Sequence, residues 1–302
     1  MQELKKKLES LKKEKNAVIL AHYYAPAVVQ AVADHVGDSY YLAKIAVKLD
    51  AKTIVFAGVG FMGESVKILN PYKTVIMPDP CADCPMAHMA SVDKIAEMRK
   101  KYDDLAVVCY INSSAELKSK SDVCVTSSNA VKIVDSLPNK NVYFIPDGNL
   151  GAYVAKKLPH KNIILNDGFC PIHASVTREQ LEKCKEAHPD ATVLTHPECV
   201  GEVLEASDFI GSTAEIIDYA VKSEQKEFII CTEIGVEYEL RRLCPEKSFY
   251  FIGKCFECPD MKLNTLEKLV SSLESGEGEI IVSENVRKSA VKALDRMLEL
   301  AR

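Results

Sequence analysis

The chain has 302 residues, 47% of them hydrophobic and 27% charged, with a formal net charge of −5 and an isoelectric point near 5.9. That leaves room for two or three domains with a substantial core, and the acidic balance gives no general attraction to nucleic acid or an anionic membrane. The charged amino terminus is unlike a secretory signal and no apolar run approaches the length of a membrane span, so a soluble cytoplasmic protein is expected.

Leu4, Leu8 and Leu11 recur among the first lysines at helical spacing, which predicts an amphipathic helix with a solvated basic face. Short β-branched runs then alternate with helical patterns, the signature of parallel sheets with crossover helices. A first unit offers strands at 17–21, 36–38, 53–59 and 74–78, with helices at 39–50 and 63–70. A second offers strands at 105–111, 123–126, 142–146 and 162–165, with helices at 128–137 and 151–158. A third offers strands at 192–196, 209–212, 227–232 and 248–253, with helices at 213–223 and 236–243. The helical segments 264–274 and 286–300 have no counterpart in this pattern. The expected architecture is three αβα domains, each with a four-stranded parallel sheet, related by a pseudo-threefold axis around a central site. The domains are assigned to residues 1–84, 85–171 and 172–261, with 262–302 packing on the first.

A phrase repeats with the same period. Asp34, Asp122 and Asp208 are each followed five residues later by a hydroxyl, Ser39, Ser127 and Thr213. Seventeen residues before each hydroxyl stands a polar ring, His22, Tyr110 and His196. The rings follow the first strand of each unit and the hydroxyls the second, at a helix start. Ligands in parallel α/β sheets bind beyond the carboxyl ends of the strands, so rings and hydroxyls could share one pocket. Ser or Thr at a helix start is most often only an N-cap, but three in register beside three rings favour a function.

Eleven cysteines are many for a chain with no export signal, and metal binding or reactivity has to be considered. Cys109, Cys124 and Cys231 sit in apolar runs and read as small buried hydrophobes, while Cys184 and Cys244 lie in charged helical contexts. The pairs Cys81/Cys84 and Cys255/Cys258 resemble zinc pairs, but 170 residues separate them. The repeat instead selects one thiol per unit, Cys84, Cys170 and Cys258, spaced by 86 and 88 residues. Three thiolates on a cubane cluster would leave one iron without a protein ligand, able to act as a Lewis acid. Spacing alone ranks such an open cluster first, zinc second and no metal third.

The segments LAHYYAP, VGDSYYLA, FMGESVKILNP, DCPMA, YINSSAE, TSSNAV, PDGNLG, CPIH, HPEC, GST, TEIG and CPDMKLNTLE, in this order, are similar to those of quinolinate synthases. The resemblance runs from about Ile19 to Met297. It implies three pseudo-symmetric α/β domains around an oxygen-sensitive 4Fe–4S cluster with three cysteine ligands. It also implies condensation of iminoaspartate with dihydroxyacetone phosphate to quinolinate, with release of phosphate and water, on the de novo route to NAD. Carried over by motif, the ligands are Cys84, Cys170 and Cys258. His22, Ser39, Tyr110, Asn112, Ser127, His196 and Thr213 would hold the substrate carboxylates and phosphate. Glu198 would be the general acid/base beside the open iron and part of the substrate site, with Tyr24, Tyr110 and His196 in catalytic roles. The enzyme that supplies iminoaspartate is a candidate partner.

Each assignment has a plainer alternative. His196 and Glu198 flank Pro197 and could merely shape a turn, and Tyr24 could be a core aromatic. His173 is equally well structural or beside the site. His35, His88, His160 and His188 read as surface residues, and Cys81, Cys199 and Cys255 as non-ligands. The competing functions are a cluster-dependent hydro-lyase on a small dicarboxylate and a zinc-stabilised binding module without catalysis. The second gives the repeated rings and hydroxyls no purpose.

Overall fold

The computed structural model describes residues 1–252 and 256–302, so Cys255 and the end of the last predicted strand, at Gly253, lie outside the described residues. The three units are built alike. The first contains β1 (Ala17–His22), β2 (His35–Gly37), β3 (Thr53–Ala57) and β4 (Thr74–Ile76). The second contains β5 (Leu105–Tyr110), β6 (Val123–Val125), β7 (Asn141–Ile145) and β8 (Asn162–Leu165). The third contains β9 (Thr192–Thr195), β10 (Phe209–Ile210), β11 (Glu227–Cys231) and β12 (Ser248–Phe251).

In each sheet the strand order is second, first, third, fourth, and the pairing is parallel throughout. Helices cover both faces, so the central strands are apolar along their length; all six residues of β5 are buried. Cys109 and Cys124 are register partners across β5 and β6, wholly buried as expected of small hydrophobes.

The repeated aspartates turn out to be structural. Asp34 Oδ2 accepts the Ile19 N–H at 2.8 Å, Asp122 Oδ2 that of Val107 at 2.7 Å, and Asp208 Oδ2 that of Val193 at 2.8 Å. The backbone N–H of each aspartate donates in turn to the carbonyl of the same strand residue, at 2.9, 2.9 and 3.1 Å. Each aspartate thus clips the start of the short second strand to the first. A hydrogen bond to a charged group is worth about 1.5–3 kcal/mol, a useful amount for strands of two or three residues. The clip fixes where the hydroxyl five residues later comes to lie.

The carboxyl-terminal segment divides between units rather than resting on the first alone. Helix Leu266–Ser275 packs on the amino-terminal helix Gln2–Glu14 and β3, sharing a core with Leu8, Leu11 and Ile19. Helix Glu284–Leu300 runs against helix Ala115–Ser119 and β6 of the second unit as well as helix Gly60–Leu69 of the first. Its wholly buried Ala290, Ala293, Leu294 and Met297 join those two units into one core. Among the described residues no helix is long and apolar enough to cross a membrane.

Candidate active site

The carboxyl ends of the three sheets face a common cavity of about 170 Å³, and all twelve predicted site residues line it. His35, His88, His160 and His188 do not. His173 does, and it is only 2% exposed.

Ser39 and Thr213 stand at helix starts but cap nothing, while Ser127, expected at a helix start, lies in a turn three residues before helix Ala130–Ser136. Asp38 caps helix Ser39–Ala46 by accepting the Tyr41 N–H, and Ser212 caps helix Thr213–Lys222 through a capping box with Glu215. Ser39 and Thr213 are therefore first helical residues, with side chains free for other work. In the second unit Asn129 Oδ1 accepts the Thr126 N–H at 2.7 Å, leaving the Ser127 hydroxyl to meet His196 Nε2 at 3.2 Å.

Two of the rings are set by the same turn. His22 Nδ1 accepts the Tyr24 N–H at 3.2 Å, and His196 Nδ1 accepts the Glu198 N–H at 3.4 Å. In the neutral rings the proton therefore sits on Nε2, as a donor. Burial drives both imidazoles down from 6.5 to about 3; for His22 the neighbouring His196 adds to this, and for His196 the Glu198 carboxylate opposes it. An unfolded chain protonates each ring near 6.5, while the folded chain refuses the proton until about 3. The unfolded state binds more protons between those values, so this stability is present above 6.5 and is lost as pH falls toward 3. Each ring is expected to lower stability by up to about 1.4 kcal/mol per pH unit in that window. Thermal melts between about pH 7 and pH 4 should show a falling Tm, with a shallower fall in His22→Gln. An equal slope in the variant would contradict this assignment.

Glu198 is 3% exposed and lies at the centre of a chain of polar contacts. The Tyr110 hydroxyl donates to its Oε1 at 2.5 Å, and His173 Nδ1 meets its Oε2 at 2.8 Å. On the far side of the imidazole, His173 Nε2 lies 3.1 Å from Thr232 Oγ1, which lies 2.8 Å from the Tyr24 hydroxyl. That hydroxyl also meets Thr213 Oγ1 at 2.6 Å. A carboxylate from the third unit is thus linked through His173 and Thr232 to a phenol from the first. Burial pushes the Glu198 carboxyl up, but His173, His196 and the Tyr110 hydroxyl outweigh it and hold the group low, so it is ionised. Burial, then the Glu198 charge, pushes Tyr24 and Tyr110 well above 10, so both remain phenols. The arrangement can accept a proton at Glu198 and donate one at Tyr24.

Thr232 escaped the sequence reading because its role depends on contacts with His173 and Tyr24, 59 and 208 residues away. For His173 a local sign existed, since it follows Cys170 by three residues and its Nδ1 lies 3.2 Å from the Cys170 sulfur.

The three thiols sit on equivalent turns. Cys84, Cys170 and Cys258 each precede a proline and a short helical turn, at 85–88, 171–174 and 259–262. Cys81 is exposed, and Cys199 is buried with its sulfur directed at the Cys231 carbonyl. Burial raises all three repeat thiols, Cys258 to about 11, and Cys84 and Cys170 are pushed further up by the Glu198 charge. Left alone these thiols stay protonated. A cationic metal centre among them would supply the charge that makes thiolates affordable in so buried a place. Among the described residues, the only three candidate donor atoms within 4.8 Å of one another belong to Cys170, His173 and Glu198. The three repeat thiols do not together form such a group.

No Lys or Arg is among the described residues lining the cavity, whereas Asp38, Asp83, Glu198, Glu233 and Asp260 are, so an anionic ligand would have to be held by the neutral donors and two helix amino termini. Asn112 Oδ1 is buried there with no hydrogen-bond partner, an acceptor open to a ligand N–H or O–H.

Comparison with known proteins agrees across the chain. Residues 6–299 match the family model described as quinolinate synthetase A protein. The chain is 53% identical over 298 residues to a quinolinate synthase of Fusobacterium nucleatum, covering 99% of each chain. It is 50% identical over 297 residues to one of Caldicellulosiruptor bescii, covering 98% of each. For one of Clostridioides difficile the identity is 47% over 294 residues, covering 97% of each. Three alike units, three cysteine turns on one cavity and similarity along the whole length lead to the same place: the chain belongs to the quinolinate synthase family, enzymes of NAD biosynthesis.

Proposed function

We propose that the chain condenses iminoaspartate with dihydroxyacetone phosphate to quinolinate, releasing phosphate and water, with a 4Fe–4S cluster on Cys84, Cys170 and Cys258. The observation that carries this is the opening of all three cysteine turns onto the cavity that also holds the Glu198–His173–Thr232–Tyr24 chain. When bound, the cluster supplies an iron without a protein ligand, a Lewis acid for a substrate oxygen or nitrogen.

The protein's own residues do the rest. Iminoaspartate is a dianion, and the Nε2–H groups of His22 and His196 with the hydroxyls of Ser39, Ser127 and Thr213 bind its carboxylates and the phosphate. Neutral donors at helix amino termini hold anions without trapping them in ion pairs, which lets product leave. Asn112 orients the nitrogen or a hydroxyl of the substrate through its open amide oxygen. Glu198, ionised, takes the proton that carbon–carbon bond formation must remove. His173 and Thr232 pass a proton toward Tyr24, which gives it to a departing hydroxyl so that water leaves. Tyr110 holds Glu198 in place and joins the same proton path.

Anaerobic assay with iminoaspartate and carbon-labelled dihydroxyacetone phosphate tests this reading. A pyridine dicarboxylate carrying the triose label is expected by mass spectrometry. Hydration of a small unsaturated dicarboxylate with no pyridine product would replace it with a hydro-lyase.

A further inference from the structure

Glu233 and Lys262 form an ion pair that the chemistry above does not use. Lys262 Nζ lies 2.7 Å from Glu233 Oε1, and the glutamate side chain is wholly buried. The same oxygen accepts the Cys258 N–H at 3.0 Å, and Oε2 accepts the Gly235 N–H at 2.6 Å. Lys262 Nζ donates a second bond, to the Tyr24 carbonyl at 2.7 Å. One ion pair therefore ties the turn bearing Cys258 to the turn bearing Tyr24, in different units of the fold.

The fit around it is close. A Cβ at Gly235 would lie 2.7 Å from Tyr24 Cα and 2.8 Å from the Tyr23 carbonyl oxygen, so only glycine lets the two turns approach. Gln30 Nε2 pins the same segment, donating to the carbonyls of Tyr23, Ala25 and Gly235 at 2.7, 2.8 and 3.0 Å. The pair has no equivalent in the other units. Where the third unit has Glu233, two residues beyond its third strand, the first has Val59 and the second Asp147. Where it has Lys262, four residues beyond its cysteine, they have His88 and Ala174. The pair occurs only where it can reach Tyr24, one of the residues at which the threefold pattern breaks.

We infer that Lys262, acting through Glu233, makes the placement of Tyr24 depend on occupancy of the Cys258 turn, and is a positioning residue for the reaction. This rests on the reading that Cys258 holds the cluster. Loading orders the cysteine turn, the ion pair carries that order to the Tyr24 backbone, and the hydroxyl is then aligned with Thr232 and Thr213. A wholly buried glutamate paired with a partly exposed lysine, with every polar atom of the pair bonded, suits such a link, because loss of the lysine strands the buried carboxylate.

Amide hydrogen exchange, measured anaerobically on cluster-loaded and chelator-stripped protein, tests the inference. In wild type, loading is expected to slow exchange across residues 23–31 by about tenfold. In Lys262→Met, iron content should stay near wild type while that slowing disappears, and kcat should fall about 100-fold with KM little changed. Lys262→Arg, which keeps the charge and both donors, should restore the slowing and most of the rate. Lys262→Met should add almost nothing in a Tyr24→Phe background, since both act through one hydroxyl. Glu233→Gln reads the same link from the other side and should also lose the slowing. Wild-type slowing in an iron-loaded Lys262→Met protein overturns the inference alone. Iron retained by Cys258→Ala overturns it together with the proposed ligand set.

Discussion

Glu198→Gln is expected to bind iron as wild type does and to turn over about 10³–10⁴-fold more slowly, the range for loss of a general acid/base. The amide has the shape of the carboxylate and keeps an oxygen for the Tyr110 hydroxyl, which now donates to Oε1 at 2.5 Å. What it loses is the ability to take a proton. The contact from His173 Nδ1, 2.8 Å from Oε2, would meet either an oxygen or an amide N–H, and the proton path toward Tyr24 stops there in both cases. Removal of the negative charge should also ease deprotonation of Cys84 and Cys170, whose thiols Glu198 pushes up, so cluster loss is not the route by which activity falls. Iron per chain and single-turnover rate, measured on one preparation, separate the two effects. Turnover within about threefold of wild type would remove Glu198 from the chemistry.

Cys84→Ala, Cys170→Ala and Cys258→Ala should each lose the brown colour, the iron and sulfide, and at least about 10³-fold of activity. Each residue holds an equivalent turn facing the cavity, and among the described residues no other cysteine lines it. Cys81→Ala is the matched control. Cys81 is exposed and does not line the cavity, so both iron and activity should remain within about twofold of wild type. If Cys81→Ala lost iron as completely as Cys84→Ala, the ligand set drawn from the repeat would be wrong.

The sheets were legible because buried parallel strands leave continuous apolar runs, as in LAVVCY, and helices between them keep their own period. The rings were legible because a polar ring just after such a run has few structural reasons to be there. The aspartate of the repeat carried a strong signal to which the sequence attached no role. Its carboxylate serves the strand beside it, a role visible only once the Ile19, Val107 and Val193 amides are placed. Capping was ambiguous for a local reason: Asp38 precedes Ser39 and Ser212 precedes Thr213, and either member of each pair could have served as cap. The His173–Thr232–Tyr24 contacts and the Lys262–Glu233 link join residues far apart in the chain, and one sequence holds no record of such pairings. Placement of the final helix was hidden for the same reason, since its apolar face would suit several partners.

On the proposed reading, the three units hold one open cluster on which catalysis depends. The direct test is stepwise anaerobic reconstitution of stripped protein, with iron, sulfide and quinolinate formation followed together. Activity should rise in proportion to cluster and level off at about four irons and four sulfides per chain. Full activity in iron-free protein, or in protein supplied with zinc alone, would contradict it.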